Sequence, residues 1–478
     1  MIQSVNNLLF CILQFTTLKL VWWRFLKYLR LYCMFTLKAH NSSSLNGIIK
    51  VPGDKSISHR SVILGGLAVG ETIVNGLLES EDVLHTIAAM RELGVIVKKL
   101  NEEQWSIYGR GVGGFDEPKN ALYLGNSGTG VRLLLGLAAG NPINAFFIGD
   151  NSLSKRPMRR VTAPLEIMGA RFVNRSDGCL PIVCSGPKHL LPIQYELPVA
   201  SAQVKSAILL AALGAAGKTT ILEPEPTRDH TEIMLKQFGA QINIEPLNKG
   251  GREISIIGQP ELQAKTIHVP ADPSSAAFPA VAALITKGSH IKLKNVCANS
   301  LRFGLFEILI KMGANIKIDC CDNTEGEKIA HLEVKSSSLK GIKVPAEIAP
   351  RMIDEYPILA VAAAFAEGTT IMLGLKELRV KESDRLSAIA KGLAACGVKV
   401  EETVDSLTVH GKGDSVEGGA FIEANMDHRI AMSFLVLGMA SAKPIEIDDS
   451  TTIQTSFPNF YELMLQIGCK LTVPGSIK

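Results

Sequence analysis

Short polar stretches, rich in cations and small donors, interrupt an otherwise apolar chain. The first reads Val51-Pro-Gly-Asp-Lys-Ser-Ile-Ser-His-Arg60. Pro52 and Gly53 predict a turn, and Ser56 is the expected cap of a helix running through Ser61 to Leu67. Lys55 then stands at the helix mouth, with Ser56 and Arg60 one turn apart on one face. A cation, a hydroxyl and unpaired helix N–H groups together make an anion site. The phrase GDKS lacks the preceding G-x-x-x-x spacing of a phosphate-binding ATPase loop, which excludes that reading. The second stretch, Leu124-Gly-Asn-Ser-Gly-Thr-Gly-Val-Arg132, holds three glycines that let backbone approach a ligand at a helix start. In Ser154-Lys-Arg-Pro157, Arg156 precedes a proline and is expected to be extended. Ala200-Ser-Ala-Gln-Val-Lys205 opens a helix through Leu213 with Ser201 and Gln203 as small donors, and Pro226-Thr-Arg-Asp-His230 adds Arg228. The second half contributes Met352-Ile-Asp-Glu-Tyr356, Leu378-Arg-Val-Lys-Glu-Ser-Asp-Arg385 and Met426-Asp-His-Arg429. In the middle one, Lys381 and Arg385 are expected on one helix face with Glu382 beside them. Singly, such clusters are usually solvated helix ends; together they suit a ligand carrying several phosphates and carboxylates.

The elements that must position these residues repeat. Six times a helical stretch ends in an apolar residue, then Gly, a small residue and a β-like run: at Gly94, Gly169, Gly239, Gly313, Gly397 and Gly468, spaced 70 to 84 residues apart. Glycine just past the last helical turn is the left-handed cap that releases the chain toward a strand. A second landmark keeps step: an Ala-rich helix, a small or polar turn and a strand, as in AVGETIVNGL (68–77), AAGKTTILEP (215–224), TKGSHIKLKN (286–295) and AEGTTIMLGL (366–375), with looser versions at 139–149 and 440–449. Each unit is read as a buried helix, a strand, a half-exposed helix and another strand. A period near 70 residues is too long for a solenoid repeat and suits a small α/β module. Six modules predict two pseudo-symmetric groups of three.

Composition agrees. A chain of 478 residues that is 46% hydrophobic, 20% charged and only 6% aromatic reads as globular α/β with two domains. Nine cysteines without a CxxC pair predict reduced thiols in the cytoplasm, and no Cys/His cluster has zinc spacing. Residues 1–33 carry Lys19, Arg24, Lys27 and Arg30 and no acid, which accounts for the whole net charge of +4. The remaining chain is balanced, so no nucleic-acid surface is expected. Two readings of residues 1–33 stand, a basic amphipathic helix on a membrane surface or an extension ahead of a true start at Met34. Neither makes it part of the fold.

The phrases VPGDKSISHR, GNSGTGVR, KRPM, ASAQVKSA, TRDHTE, MIDEYPILAVAA, LRVKESDRL and MDHRIAMSF occur here in the order of the enolpyruvylshikimate-phosphate synthase family. The chain resembles that family over residues 35–470, with wording closest to the bacterial class II branch. The resemblance implies an inside-out α/β barrel type of fold. One domain of three repeats would span 52–270 and the other 35–51 with 271–478, the chain crossing near Pro52 and Asp272. It implies that Lys55, Ser56, Arg60, Ser201, Ala202, Gln203 and Arg228 bind shikimate 3-phosphate, together with Asp354 and Lys381. Lys55, Gly128, Arg156, Gln203, Arg385 and Arg429 would bind phosphoenolpyruvate. Asp354 would take the proton from the shikimate hydroxyl, and Glu382 and Lys55 would move a proton to and from the methylene. The implied partners are those two small molecules alone, with no metal or organic cofactor, and a cytoplasmic monomer is expected. Two departures stand out. No Lys precedes Thr455-Ser456-Phe457-Pro458, as it does in the better-known branch; and Gly128 stands where glyphosate-tolerant class II members have Ala, so inhibition by glyphosate is expected. The rivals are the sister enzyme acting on UDP-N-acetylglucosamine, whose loop Cys has no counterpart between Cys33 and Cys179, and a non-catalytic phosphate-binding scaffold, which would not need Asp354 and Glu382.

Overall fold

The computed structural model describes residues 36–248, 250–321 and 326–474. Residues 1–33, and both readings of them, lie outside the described residues. All six repeat glycines adopt a positive φ, from +79° at Gly397 to +107° at Gly169. At each, the next residue donates its N–H back five positions, as in Val95→Met90 at 3.0 Å and Val398→Leu393 at 3.0 Å. This is the Schellman closure, which a residue bearing a Cβ adopts only with strain.

Each glycine delivers the chain into a strand, and the strands form six sheets of four. The first sheet runs, edge to edge, Thr266–His268, Glu71–Asn75, Gln104–Tyr108 and Ile96–Lys99. Its first pair is parallel and the other two are antiparallel, with Glu71 opposite Tyr108 and Tyr108 opposite Ile96. The unit therefore holds four strands where the sequence pattern predicted two. The return strand carries no glycine-exit marker of its own, and the parallel edge strand is only three residues long and far from the marker at Gly94. The edge strand of the first sheet arrives from the far end of its half of the chain. In the other half, Leu37–His40 and Asn46–Ile49 complete two different sheets.

Two apolar cores result. One gathers residues from Ile57 to Val269 with Cys297, the other Leu37 to Val51 with Ala271 to Leu471. The chain passes between them twice, side by side: Asp54 N donates to Pro270 O at 2.7 Å and Asp272 N to Pro52 O at 2.9 Å. Each core is built on three helices buried along most of their length: Lys55–Leu67, Gly128–Ala139 and Ala202–Ala212 in one, Pro273–Ile285, Tyr356–Ala364 and His428–Gly438 in the other. Such helices need small residues where they touch. A Cβ on Gly136 would lie 2.3 Å from the Ala207 carbonyl oxygen, so glycine sets the approach of the second helix to the third. Among the described residues no helix is long and apolar enough to cross a membrane.

Candidate active site

Side chains at the starts of the buried helices meet where the two cores adjoin. The helix expected to be capped by Ser56 begins two residues earlier than such a cap requires, at Lys55, and its cap is Asp54, whose carboxylate accepts the Ile57 N–H at 2.8 Å. Asp54 is fully buried and faces Arg302 from the other core at 3.4 Å, which fixes it as the better acceptor. Lys55 ion-pairs with Asp82, and Ser56 is left half-buried with its carbonyl accepting from Arg60. Arg60 is itself buried and donates to Thr231 at 2.6 Å and Ser206 at 2.7 Å. Burial pulls its pKa down to about 10, which leaves it a cation at neutral pH.

Ser127 caps the helix begun by Gly128. Beside it, Arg132 donates to the Gln203 side-chain oxygen, and Gln203 donates to Thr129 at 2.9 Å. Ser201 caps the next helix through Val204 N, and Ala202 is its first residue. Arg156, extended as its proline neighbour requires, donates to Asn126 and to Ser152. It also reaches Glu382 of the other half at 3.5 Å.

From Glu382 the charges run on without a break. Its other oxygen lies 2.5 Å from Arg385, which donates to Asp427 at 2.8 Å and to Asp354 at 3.2 Å. Asp354 also receives Arg228 at 2.8 Å and Lys381 at 3.3 Å, and its carbonyl oxygen accepts from Arg429 at 3.1 Å. Burial alone would raise both carboxylates. For Asp354 the cations Lys381, Arg228, Arg429 and Arg385 outweigh it, and for Glu382 chiefly Arg385 and Arg156, so each is held well below the usual carboxylate range. Lys381 and Glu382 do not share a helix face with Arg385, as the sequence suggested. They sit in a loop ahead of a helix that starts at Arg385 with Asp384 as its cap.

A cavity of about 200 Å³ lies against this chain, lined by Lys55, Asp82, His85, Asn126, Glu382 and His428 among others. Lys55 and Glu382, from different halves, thus face one space. Arg60 is not among the lining residues, and its donors go to the Thr231 and Ser206 hydroxyls and the Ser56 carbonyl. Asp82, His85 and Asp427 were not read as site residues, nor were Asn126, Arg132 and His428. Of these, Asn126, Arg132, Asp427 and His428 lay inside stretches already singled out. Asp82 and His85 carried only the signal of an acidic first helical turn and a lone histidine.

The same architecture occurs in the enolpyruvyl transferase NikO of Streptomyces tendae, with a TM-score of 0.72 over 91% of this chain and 98% of that one at 17% identity, so the fold is that of the enolpyruvyl transferases. Within that fold the chain belongs to the EPSP synthase (3-phosphoshikimate 1-carboxyvinyltransferase) family, whose sequence model matches residues 39–464. A 3-phosphoshikimate 1-carboxyvinyltransferase of Paramagnetospirillum magneticum is 59% identical over 436 residues, covering 91% of this chain and 98% of that protein. One from Parvibaculum lavamentivorans is 55% identical, covering 91% and 96%. The EPSP synthase structure from Acinetobacter baumannii superposes with a TM-score of 0.81 at 43% identity, covering 92% and 99%.

Proposed function

We propose that this protein transfers the enolpyruvyl group of phosphoenolpyruvate to the 5-hydroxyl of shikimate 3-phosphate, releasing phosphate. The observation that carries the reading is the unbroken chain of cations around two ionised carboxylates, Asp354 and Glu382, drawn from both halves of a chain in this family. Two substrates bearing phosphates and carboxylates match that charge pattern.

Adding an alcohol to an enol phosphate needs a base on the hydroxyl and an acid at the methylene. Asp354, kept ionised, takes the 5-hydroxyl proton as the oxygen bonds to C2 of phosphoenolpyruvate. Glu382 is ionised too, so the methylene proton comes from the Lys55 ammonium across the shared cavity. The tetrahedral intermediate then loses the methyl proton to Glu382 as the C–O bond to phosphate breaks. Atoms balance with no redox partner or further group donor. In this reading Ser56, Arg60, Ser201, Ala202, Gln203, Arg228 and Lys381 hold shikimate 3-phosphate. Gly128, Arg156, Arg385 and Arg429, with Lys55 and Gln203, hold phosphoenolpyruvate. Domains of 52–270 and of 35–51 with 271–478 close on the substrates and exclude water from the intermediate. The protein acts as a cytoplasmic monomer, and glyphosate competes with phosphoenolpyruvate.

The test is phosphate release by the full chain with phosphoenolpyruvate and either shikimate 3-phosphate or UDP-N-acetylglucosamine. Release dependent on the former supports the proposal. Release with the sugar nucleotide alone would move the protein to the sister activity. Binding of shikimate 3-phosphate without release would make it a scaffold.

A further inference from the structure

A second polar network, buried and away from the cavity, ties residues 227–231 to the opposite half. The Asn299 side-chain nitrogen donates to Asp229 at 2.8 Å and to Glu327 at 2.9 Å, and its oxygen accepts from Leu301 N at 2.8 Å. With the oxygen on an N–H and both amide hydrogens between carboxylates, the amide has one orientation. Glu327 also accepts from His230 Nδ1 at 2.5 Å, and Asn299, Glu327 and His230 are all buried. From the near side, Arg252 and Lys205 donate to the Thr227 carbonyl at 3.0 and 3.3 Å, and Arg252 lies 3.5 Å from Asp229. Arg228 is the residue between these grips, and its guanidinium reaches out to Asp354.

We propose that Asn299, acting with Glu327, is a positioning residue for shikimate 3-phosphate: it bridges Asp229 and Glu327 across the two halves and so holds Arg228 at the substrate. The inference rests on the reading of Arg228 as a ligand of that substrate. Without the amide, the buried Glu327 and the half-buried Asp229 lose their shared donor and repel. The 227–230 segment then shifts, and Arg228 goes with it. Arg60 is affected less, because Thr231 is held separately through Ser206 at 2.7 Å.

The experiment compares wild type, Asn299→Ala, Glu327→Gln, Arg228→Ala and the Asn299→Ala/Arg228→Ala double variant by phosphate release, varying each substrate at saturating levels of the other. Asn299→Ala should raise KM for shikimate 3-phosphate by about fivefold to tenfold, less than the loss of a whole hydrogen bond to a charged group because Arg228 is displaced and not removed. KM for phosphoenolpyruvate and kcat should stay within about twofold, and in the Arg228→Ala background the further change should be under about twofold. Glu327→Gln should give a smaller rise of the same kind, and it carries the test should Asn299→Ala not fold. A KM for shikimate 3-phosphate that does not move, a rise in both KM values together, or a full rise persisting without Arg228 overturns the proposal. No release by wild type with shikimate 3-phosphate would instead overturn the activity on which it rests.

Discussion

A methyl group placed on Gly128 isolates the part of the site assigned to phosphoenolpyruvate. Gly128 has no positive φ and opens a helix, so alanine there costs the backbone nothing. The new Cβ would lie 2.8 Å from Nη1 of Arg156 and 3.5 Å from Nη1 of Arg132. Ordinary contact begins at 3.4 Å, so the Arg156 guanidinium must retreat by about 0.6 Å. It has little room, being buried and tied to Asn126, Ser152 and Glu382. The same nitrogen that meets the methyl makes the 3.5 Å contact to Glu382. Losing about half of one charged hydrogen bond corresponds to about 1.4 kcal/mol, or tenfold in affinity. Gly128→Ala should therefore raise KM for phosphoenolpyruvate about tenfold in a phosphate-release assay. KM for shikimate 3-phosphate should not move, and the thermal midpoint should fall by no more than about 3 °C. Glyphosate, an anion bulkier than phosphoenolpyruvate in the same pocket, should lose more potency than phosphoenolpyruvate loses affinity. An unchanged KM for phosphoenolpyruvate, or an equal rise for both substrates, would refute the assignment of Gly128 and Arg156.

Asp354→Asn and Glu382→Gln should each lower kcat by about 10²- to 10⁴-fold while equilibrium binding of shikimate 3-phosphate survives; near-normal turnover in either would remove its acid–base role. Both carboxylates have depressed folded pKa values, so between those values and the ordinary ones near 4 the unfolded chain binds more protons. Their stabilisation is complete above that range and is lost as pH falls through it. Accordingly, kcat/KM should show no acid limb from these groups between about pH 5 and 8, and a titration near pH 6 that vanishes in Glu382→Gln would contradict this. Lys205 is fully buried between Glu223 at 2.8 Å and Glu232 at 2.7 Å. Lys205→Met strands Glu232, while Glu223 keeps Arg252 and Thr227, and should cost about 3–5 kcal/mol in denaturant unfolding; a loss under about 1 kcal/mol would mean Glu232 takes up a proton cheaply.

The repeat was legible because it rests on backbone sterics. A glycine at a left-handed helix exit announces itself in one residue, and all six did so. The edge and return strands had no such marker, and the edge strand's pairing joins residues as distant as Ile73 and Thr266. Most site residues were legible as helix starts carrying donors, and the family resemblance sorted them into roles. What neither pattern showed was the pairing of charges across the halves. Arg228 with Asp354, Arg156 with Glu382 and Asp54 with Arg302 are each separated by more than a hundred residues.

That pairing explains why the cations are divided between the halves. Arg385 alone serves Asp427, Glu382 and Asp354, and is buried to 1% exposure. A cation so enclosed is tolerable only where carboxylates surround it, and it helps hold two of them, Glu382 and Asp354, well below the usual carboxylate range. Arg156 and Arg228 complete the neutralisation from the other half. In the proposed mechanism Asp354 would thus be held in its working protonation state by cations that must also meet substrate anions, and two of those contacts, Arg228 with Asp354 and Arg156 with Glu382, cross between the halves. Removing Arg156 or Arg228 outright should therefore let the carboxylate it faces titrate at higher pH, because Glu382 or Asp354 would lose one of the cations that offset its burial.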